Sequence, residues 1–234
     1  MTAKKAILTA ASQARKVTSA VELLTIRGSG VQSETTSGFV QFRLTPTLLI
    51  GEKLNLAAAG KSTQIKAVLT DQAFYLNEPT LAKKLGKPWM RVDLSALKKT
   101  PLGGITQLIH GLQDNNFLNQ TQLFTAAKDV RIVGKQTVDG VPTTEYAGSF
   151  HAADALKVLS PTYRKALAPG LKLLGNIPIS FHIWIDGQHQ VRKATEVETI
   201  NGETINITVL VKAINQPVHV TIPSRSQTVT PPGL

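Results

Sequence analysis

The side chains that most often carry chemistry are present in this chain, but not at the spacings that catalysis uses. His110, His151, His182, His189 and His219 are scattered without metal-ligand spacing. The absence of cysteine excludes disulfides, thiolate metal sites and a cysteine nucleophile. Neither a Gly-x-Ser-x-Gly elbow nor a His-Glu-x-x-His pair occurs. Gly60-Lys61-Ser62 ends like a phosphate loop, yet Asn55 stands where such a loop needs its first glycine. Gly28-Ser29-Gly30 lacks the third glycine of a dinucleotide fingerprint and reads as a turn between strands. His182 and Trp184, two apart on one strand, read as an ordinary sheet-surface pair. These spacings point away from an enzyme, and they imply no cofactor and no bound metal.

Charge is the next resource. The chain has 234 residues with 26 basic and 15 acidic side chains, a formal net charge of +11. Nucleic acid, anionic lipid headgroups and acidic polymers all complement that balance. The basic residues are densest in Lys4, Lys5, Arg15 and Lys16, and again in Lys83, Lys84, Lys87, Arg91, Lys98 and Lys99. A solvated face accounts for both groups. Trp89 is the only aromatic inside the second group, whereas single-stranded nucleic acid needs several stacking platforms. No nucleic-acid partner is therefore expected. No run approaches the roughly 18 apolar residues of a membrane span. Gln13, Arg15 and Lys16 interrupt the apolar core that a signal peptide would need. The protein is thus expected to be intracellular, or the chain to begin after a removed leader.

The elements that would position a site are mostly strands. Ile179, Phe181, Ile183 and Ile185 alternate with polar neighbours, and Ile205, Ile207, Val209 and Val211 do the same. Asp186-Gly187 and Asn201-Gly202 supply the positive φ of tight hairpins, so 178–214 reads as an antiparallel meander. Strands are also expected at 21–27, 38–44, 48–58, 63–70 and 73–77, with a hairpin at 130–137 and 141–150 around Asp139-Gly140. Ala3, Ala6, Ile7, Ala10, Ala11, Ala14 and Val17 recur at helical spacing and predict a helix over about 3–20. Further helical faces fall at 81–85, at Ile105, Leu108, Ile109 and Leu112, at 120–128 and at 152–159. Hydrophobic residues make up 42% of the chain and aromatics only 5%, which predicts a broad aliphatic interior. The expected fold is α+β: one strongly curved antiparallel sheet of about ten strands, with helices against one face. It would form a single domain over 1–223, with a flexible tail over 224–234.

Four stretches in register resemble one family. Ile183-Trp184-Ile185 with Asp186-Gly187-Gln188-His189-Gln190-Val191-Arg192 is similar to the tryptophan-bearing hairpin of the LppX/LprA/LprF/LprG lipoproteins of actinobacteria. Gly104 to Gly111, Val138 to Thr144 with Gly148, and Asn215-x-Pro217-Val218-x-Val220 resemble its helix, its aspartate-glycine hairpin and its closing strand. The resemblance spans roughly 5–223. Ile214 stands where the family usually has tryptophan, and the Asp186-Gly187 turn is shorter. The lipid-modified cysteine of the family is absent, as expected of a chain that begins after the anchor and its linker.

This resemblance implies a half-barrel wrapped over helices, similar to the lipoprotein carriers LolA and LolB, with a hydrophobic cavity between the two layers. It implies non-catalytic binding and transport of lipid or glycolipid acyl chains in the cell envelope, on the extracytoplasmic side. It also implies a lipid anchor in the precursor and a monomeric state. Expected cavity liners are Phe42, Leu44, Leu54, Leu56, Val68, Phe74, Leu76, Leu108, Leu112, Phe124, Phe181, Ile183 and Ile185; plain core packing is the competing role for each. Lys83, Lys84, Lys87 and Arg91 are expected to face an anionic membrane surface. The competing function is an interaction module with the same fold and a closed cavity, docking an anionic polymer or a protein through its basic surface.

Overall fold

A computed structural model describes residues 1–29, 34–97, 120–161, 164, 168, 177–200 and 202–231. Among these, twelve strands form one sheet: β1 (Ser19–Ser29), β2 (Glu34–Arg43), β3 (Leu49–Ala58), β4 (Lys61–Thr70), β5 (Ala73–Asn77), β6 (Trp89–Asp93), β7 (Arg131–Val138), β8 (Val141–His151), β9 (Pro178–Asp186), β10 (Val191–Ile200), β11 (Glu203–Ile214) and β12 (Thr228–Val229). The order across the sheet is β12-β6-β5-β4-β3-β2-β1-β11-β10-β9-β8-β7. Every pairing is antiparallel except β12 with β6. The sheet is open and curved, as expected, with two strands more than the sequence suggested. β1 is the hinge of the topology. It pairs with β2 on one side and with β11 on the other, so the two halves of the chain spread outward from it as separate meanders.

Local chemistry explains most of the turns. Asp139 and Gly140 both have positive φ, 51° and 80°, which joins β7 to β8 with the twist a two-residue hairpin requires. The β9–β10 connection differs from expectation. Its positive φ belongs to His189, at 61°, and not to Gly187. The Asp186 carboxylate instead organises the loop, accepting from the backbone N–H of Gln188 at 2.8 Å and Gln190 at 2.9 Å, and from Arg192 Nε at 2.7 Å. With four residues between the strands, the loop is stapled by a side chain.

Helices cover one face. α1 (Ala3–Ala14) buries Ala6, Ile7, Ala10, Ala11 and Ala14. It ends earlier than its apolar period suggests, because Val17 and Ala20 belong to a core built around β1 and β2. α2 (Pro79–Leu85) is short and ends at Gly86, φ 69°. α3 (Leu94–Leu97), α4 (Thr121–Phe124) and α5 (Ala152–Val158) are shorter still or comparable. Lys4 Nζ donates to the carbonyls of Thr125, at 2.6 Å, and Ala127, tying α1 to the end of α4. The expected helix around Ile105, Leu108, Ile109 and Leu112 lies outside the described residues. Residues 224–231, expected as loose, contain a 3-10 turn (Arg225–Gln227) and β12, because the backbone of Thr228 and Val229 finds partners on the edge strand β6.

Candidate functional site

The candidate site begins with the strand pairing around β1. Antiparallel register places Leu24 opposite Val209 and Ile26 opposite Ile207, while Ala194 and Glu196 of β10 lie opposite the same two β11 residues. Because side chains alternate along a strand, these residues share the face that the helices cover. Glu22 belongs to the same face, and it sits at a β-bulge. The register between β1 and β11 shifts between Val21 and Glu22, where Lys212 of β11 is the unpaired residue. Such bulges re-aim side chains locally.

These residues enclose a partly open cavity of about 220 Å³. Leu24 and Ile26 contribute from β1, Ile207, Val209 and Val211 from β11, and Val40 from β2. Val191, Ala194 and Glu196 line it from β10, and Gln120, Thr121 and Phe124 close it from α4 and the residue before it. An apolar void of about 150 Å³ already holds a guest of benzene's size, so this one admits a segment of hydrocarbon. It falls short of the roughly 300 Å³ at which drug-sized pockets begin.

Solid packing bounds the cavity. Phe124 stacks on Phe181 with ring centroids 4.6 Å apart, and Phe150 lies about equally far from both, at 6.1 Å and 6.0 Å. Ile183 and Ile185 extend that core beneath α1. On the other side Phe42, Leu44, Leu48 and Ile50 pack with Ala14 and Val17.

Phe124 is therefore the one expected liner that borders the cavity among the described residues. Phe181, Ile183, Ile185, Phe42 and Leu44 are core side chains, 0–7% exposed. Phe74 leans on the Phe42 cluster, and Leu54 and Leu76 are half-buried. Leu56 is 37% exposed. Val68 lies on the opposite face, packed with Leu49, Ala73 and Tyr75. Leu108 and Leu112 lie outside the described residues. Large side chains fill the space they point into. The void remains where the facing positions carry Ala194 and valines, with Thr121 on the helical side.

Sequence reasoning missed the acids. Glu22 is only 5% exposed, and its Oε1 has no hydrogen-bond partner among the described residues. Burial raises its carboxyl from 4.5 to about 7. Glu196 is also raised to about 7, by burial first and by Glu198 second. Burial raises Glu52 and Glu198 as well. Glu22 was legible in principle, as the single acid on a face shared with Ala20, Leu24 and Ile26.

The basic residues divide. Lys83, Lys84 and Lys87 are exposed. Lys87 donates to the Ser226 carbonyl at 2.8 Å. Arg91 is half-buried and engaged, 2.6 Å from Asp93 and 6.0 Å from the Tyr75 ring centre. It is less available to a surface than its sequence position suggested. His182 lies with Trp184 on the uncovered face, bonded at 2.6 Å to Glu145. No group of three metal-ligating side chains occurs among the described residues.

The family model described as LppX_LprAFG lipoprotein matches residues 2–220. The chain is 26% identical over 185 residues to an uncharacterized 31.2 kDa protein in the rplA-rplJ intergenic region of Streptomyces griseus, covering 77% of this chain and 60% of that protein. Among solved structures, LprF from Mycobacterium bovis aligns with a TM-score of 0.57 and 13% identity, over 95% of this chain and 97% of that one. LppX from Mycobacterium tuberculosis aligns with a TM-score of 0.51 and 17% identity, over 94% and 98% of the two chains. At these identities the likeness establishes the fold.

Proposed function

The chain belongs to the LppX_LprAFG lipoprotein family, and from that premise we propose that it binds and carries acyl chains of a lipid or glycolipid in the cell envelope, without catalysis. The supporting observation is the apolar cavity between β1, β10, β11 and α4. We infer as well an extracytoplasmic location, a lipid anchor on the precursor and a monomeric carrier; membership of a lipoprotein family supports the first two.

Such a carrier exchanges one apolar environment for another. Each methylene moved out of water gains about 0.8 kcal/mol, close to fourfold in affinity. A bilayer offers a similar gain, so transfer between protein and membrane is nearly balanced and readily reversed. A cavity of about 220 Å³ shelters part of a long chain, with the remainder and the headgroup at the mouth. The exposed Lys83 and Lys84, in the last turn of α2, would hold the protein to an anionic surface, at about 1 kcal/mol each.

Native mass spectrometry of protein made in a lipid-containing host tests the proposal. The expected spectrum contains a lipid-bearing species that organic extraction removes. Protein that carries no lipid and takes up no fluorescent acyl probe would instead favour a module that docks a polymer or protein.

A further inference from the structure

Resting on that reading, the cavity's polar groups narrow the class of ligand. Glu22 of β1, opposite the bulge in β11, lines the apolar cavity, with Oε1 unpartnered among the described residues. Val40 of β2 lies opposite Glu22 on one side and opposite Glu52 of β3 on the other, so the two acids flank it on one face. Glu196 lines the same cavity from β10, and Glu198 follows it two residues on, on the same face. Four of the chain's 15 acids thus lie on the covered face of three strands, β1, β3 and β10. Among the described residues no lysine, arginine or histidine lines the cavity, in a chain with 26 lysines and arginines. Among the described residues the α4 side adds Gln120, Thr121 and Phe124.

We propose that the cavity takes an amphiphile whose hydrocarbon body carries a hydrogen-bond donor, an amine or a hydroxyl, seated on the Glu22 carboxyl, and that it discriminates against fatty-acid carboxylates. A buried oxygen left without a partner costs about 1–3 kcal/mol, which a ligand donor recovers. An ammonium gains more, because its bond to an ionised carboxyl is charge-assisted. A carboxylate ligand gains nothing here, since it brings a like charge or must first take up a proton. Burial raises the carboxyl pKa of both Glu22 and Glu196, and the neighbouring Glu198 adds to the second.

The test uses delipidated protein and a matched set of probes: decylamine, decanol, methyl decanoate and decanoate. Each displaces a neutral fluorescent acyl probe at about pH 8. The amine and the alcohol are expected to bind at least about tenfold more tightly than the carboxylate, with the donor-free ester between them. Glu22→Gln keeps an acceptor without the charge, so it should lose the amine's advantage and retain the alcohol's. Glu22→Leu should lose both and still bind the ester, while near-ultraviolet circular dichroism confirms the fold of each variant. Affinities equal within about threefold across the set, or preferences that survive Glu22→Leu, overturn the assignment while leaving the lipid-binding reading intact. If no probe binds the wild-type protein, both fall.

Discussion

Replacing Glu22 with glutamine isolates the cost of keeping an acid in the cavity wall. The folded pKa of Glu22 is about 7, against 4.5 for an ordinary glutamate. Below about pH 4.5 the carboxyl is protonated in both the folded and unfolded chain, and it contributes no pH dependence. Between about 4.5 and 7 the unfolded chain releases the proton while the folded protein retains it. Stability therefore falls as pH rises through that window and levels off above it. A displacement of this size corresponds to about 3 kcal/mol at about 1.36 kcal/mol per pKa unit. For a domain of this length each kcal/mol moves the melting temperature by about 2–4 °C, so the loss is on the order of 10 °C. The assay is calorimetric melting of delipidated wild-type and Glu22→Gln protein from about pH 5 to about pH 8. The wild type should lose ground to the variant up to about pH 7 and then hold a constant deficit, and saturating decylamine should restore most of the difference. Two melting curves that shift in parallel with pH would refute the assignment of Glu22 as a buried, uncompensated acid.

Other expectations follow from the same geometry. A Cβ on Gly38 would lie 1.9 Å from the Lys53 carbonyl oxygen and 2.9 Å from Leu54 Cα. Gly38→Ala should therefore prise β2 from β3, at about 3 kcal/mol, read as a lower urea midpoint. Asp186→Ala removes the acceptor of two loop amides and of Arg192. It should cost about 3 kcal/mol and speed amide exchange across residues 187–190, which hydrogen-exchange mass spectrometry resolves. Lys83→Glu with Lys84→Glu should weaken binding to vesicles rich in anionic lipid by at least about 30-fold, without changing uptake of a soluble acyl probe.

The meander β9–β11 was legible because period-two alternation and Asn-Gly chemistry are local. So was the hairpin at Asp139-Gly140, where both residues take the expected positive φ. The adjacency of β1 and β11 was not legible, although it makes the cavity. It joins residues almost two hundred positions apart, and no window of sequence carries that register. The extent of α1 was misread because Val17 fits a helical period as well as the strand-flanking core it joins. Most of the expected liners that the structure describes pack away from the cavity for a related reason. Large apolar residues such as Phe181 and Ile183 mark where space is filled, not where it is left. β10 could not be assigned an inner face, since Lys193, Thr195 and Val197 alternate with Ala194, Glu196 and Glu198 and neither set is apolar. Only the surrounding fold shows that the acid-bearing set lines the cavity.

The most direct measurement is the affinity of the delipidated protein for a series of uncharged alkyl esters of increasing length, with Ala194→Trp as the filled-cavity comparison. Affinity should climb about fourfold for each added methylene, then flatten once the cavity of about 220 Å³ is full. Ala194→Trp should flatten at a shorter chain. An affinity indifferent to chain length, or unchanged by Ala194→Trp, would contradict a binding site between the sheet and its helices.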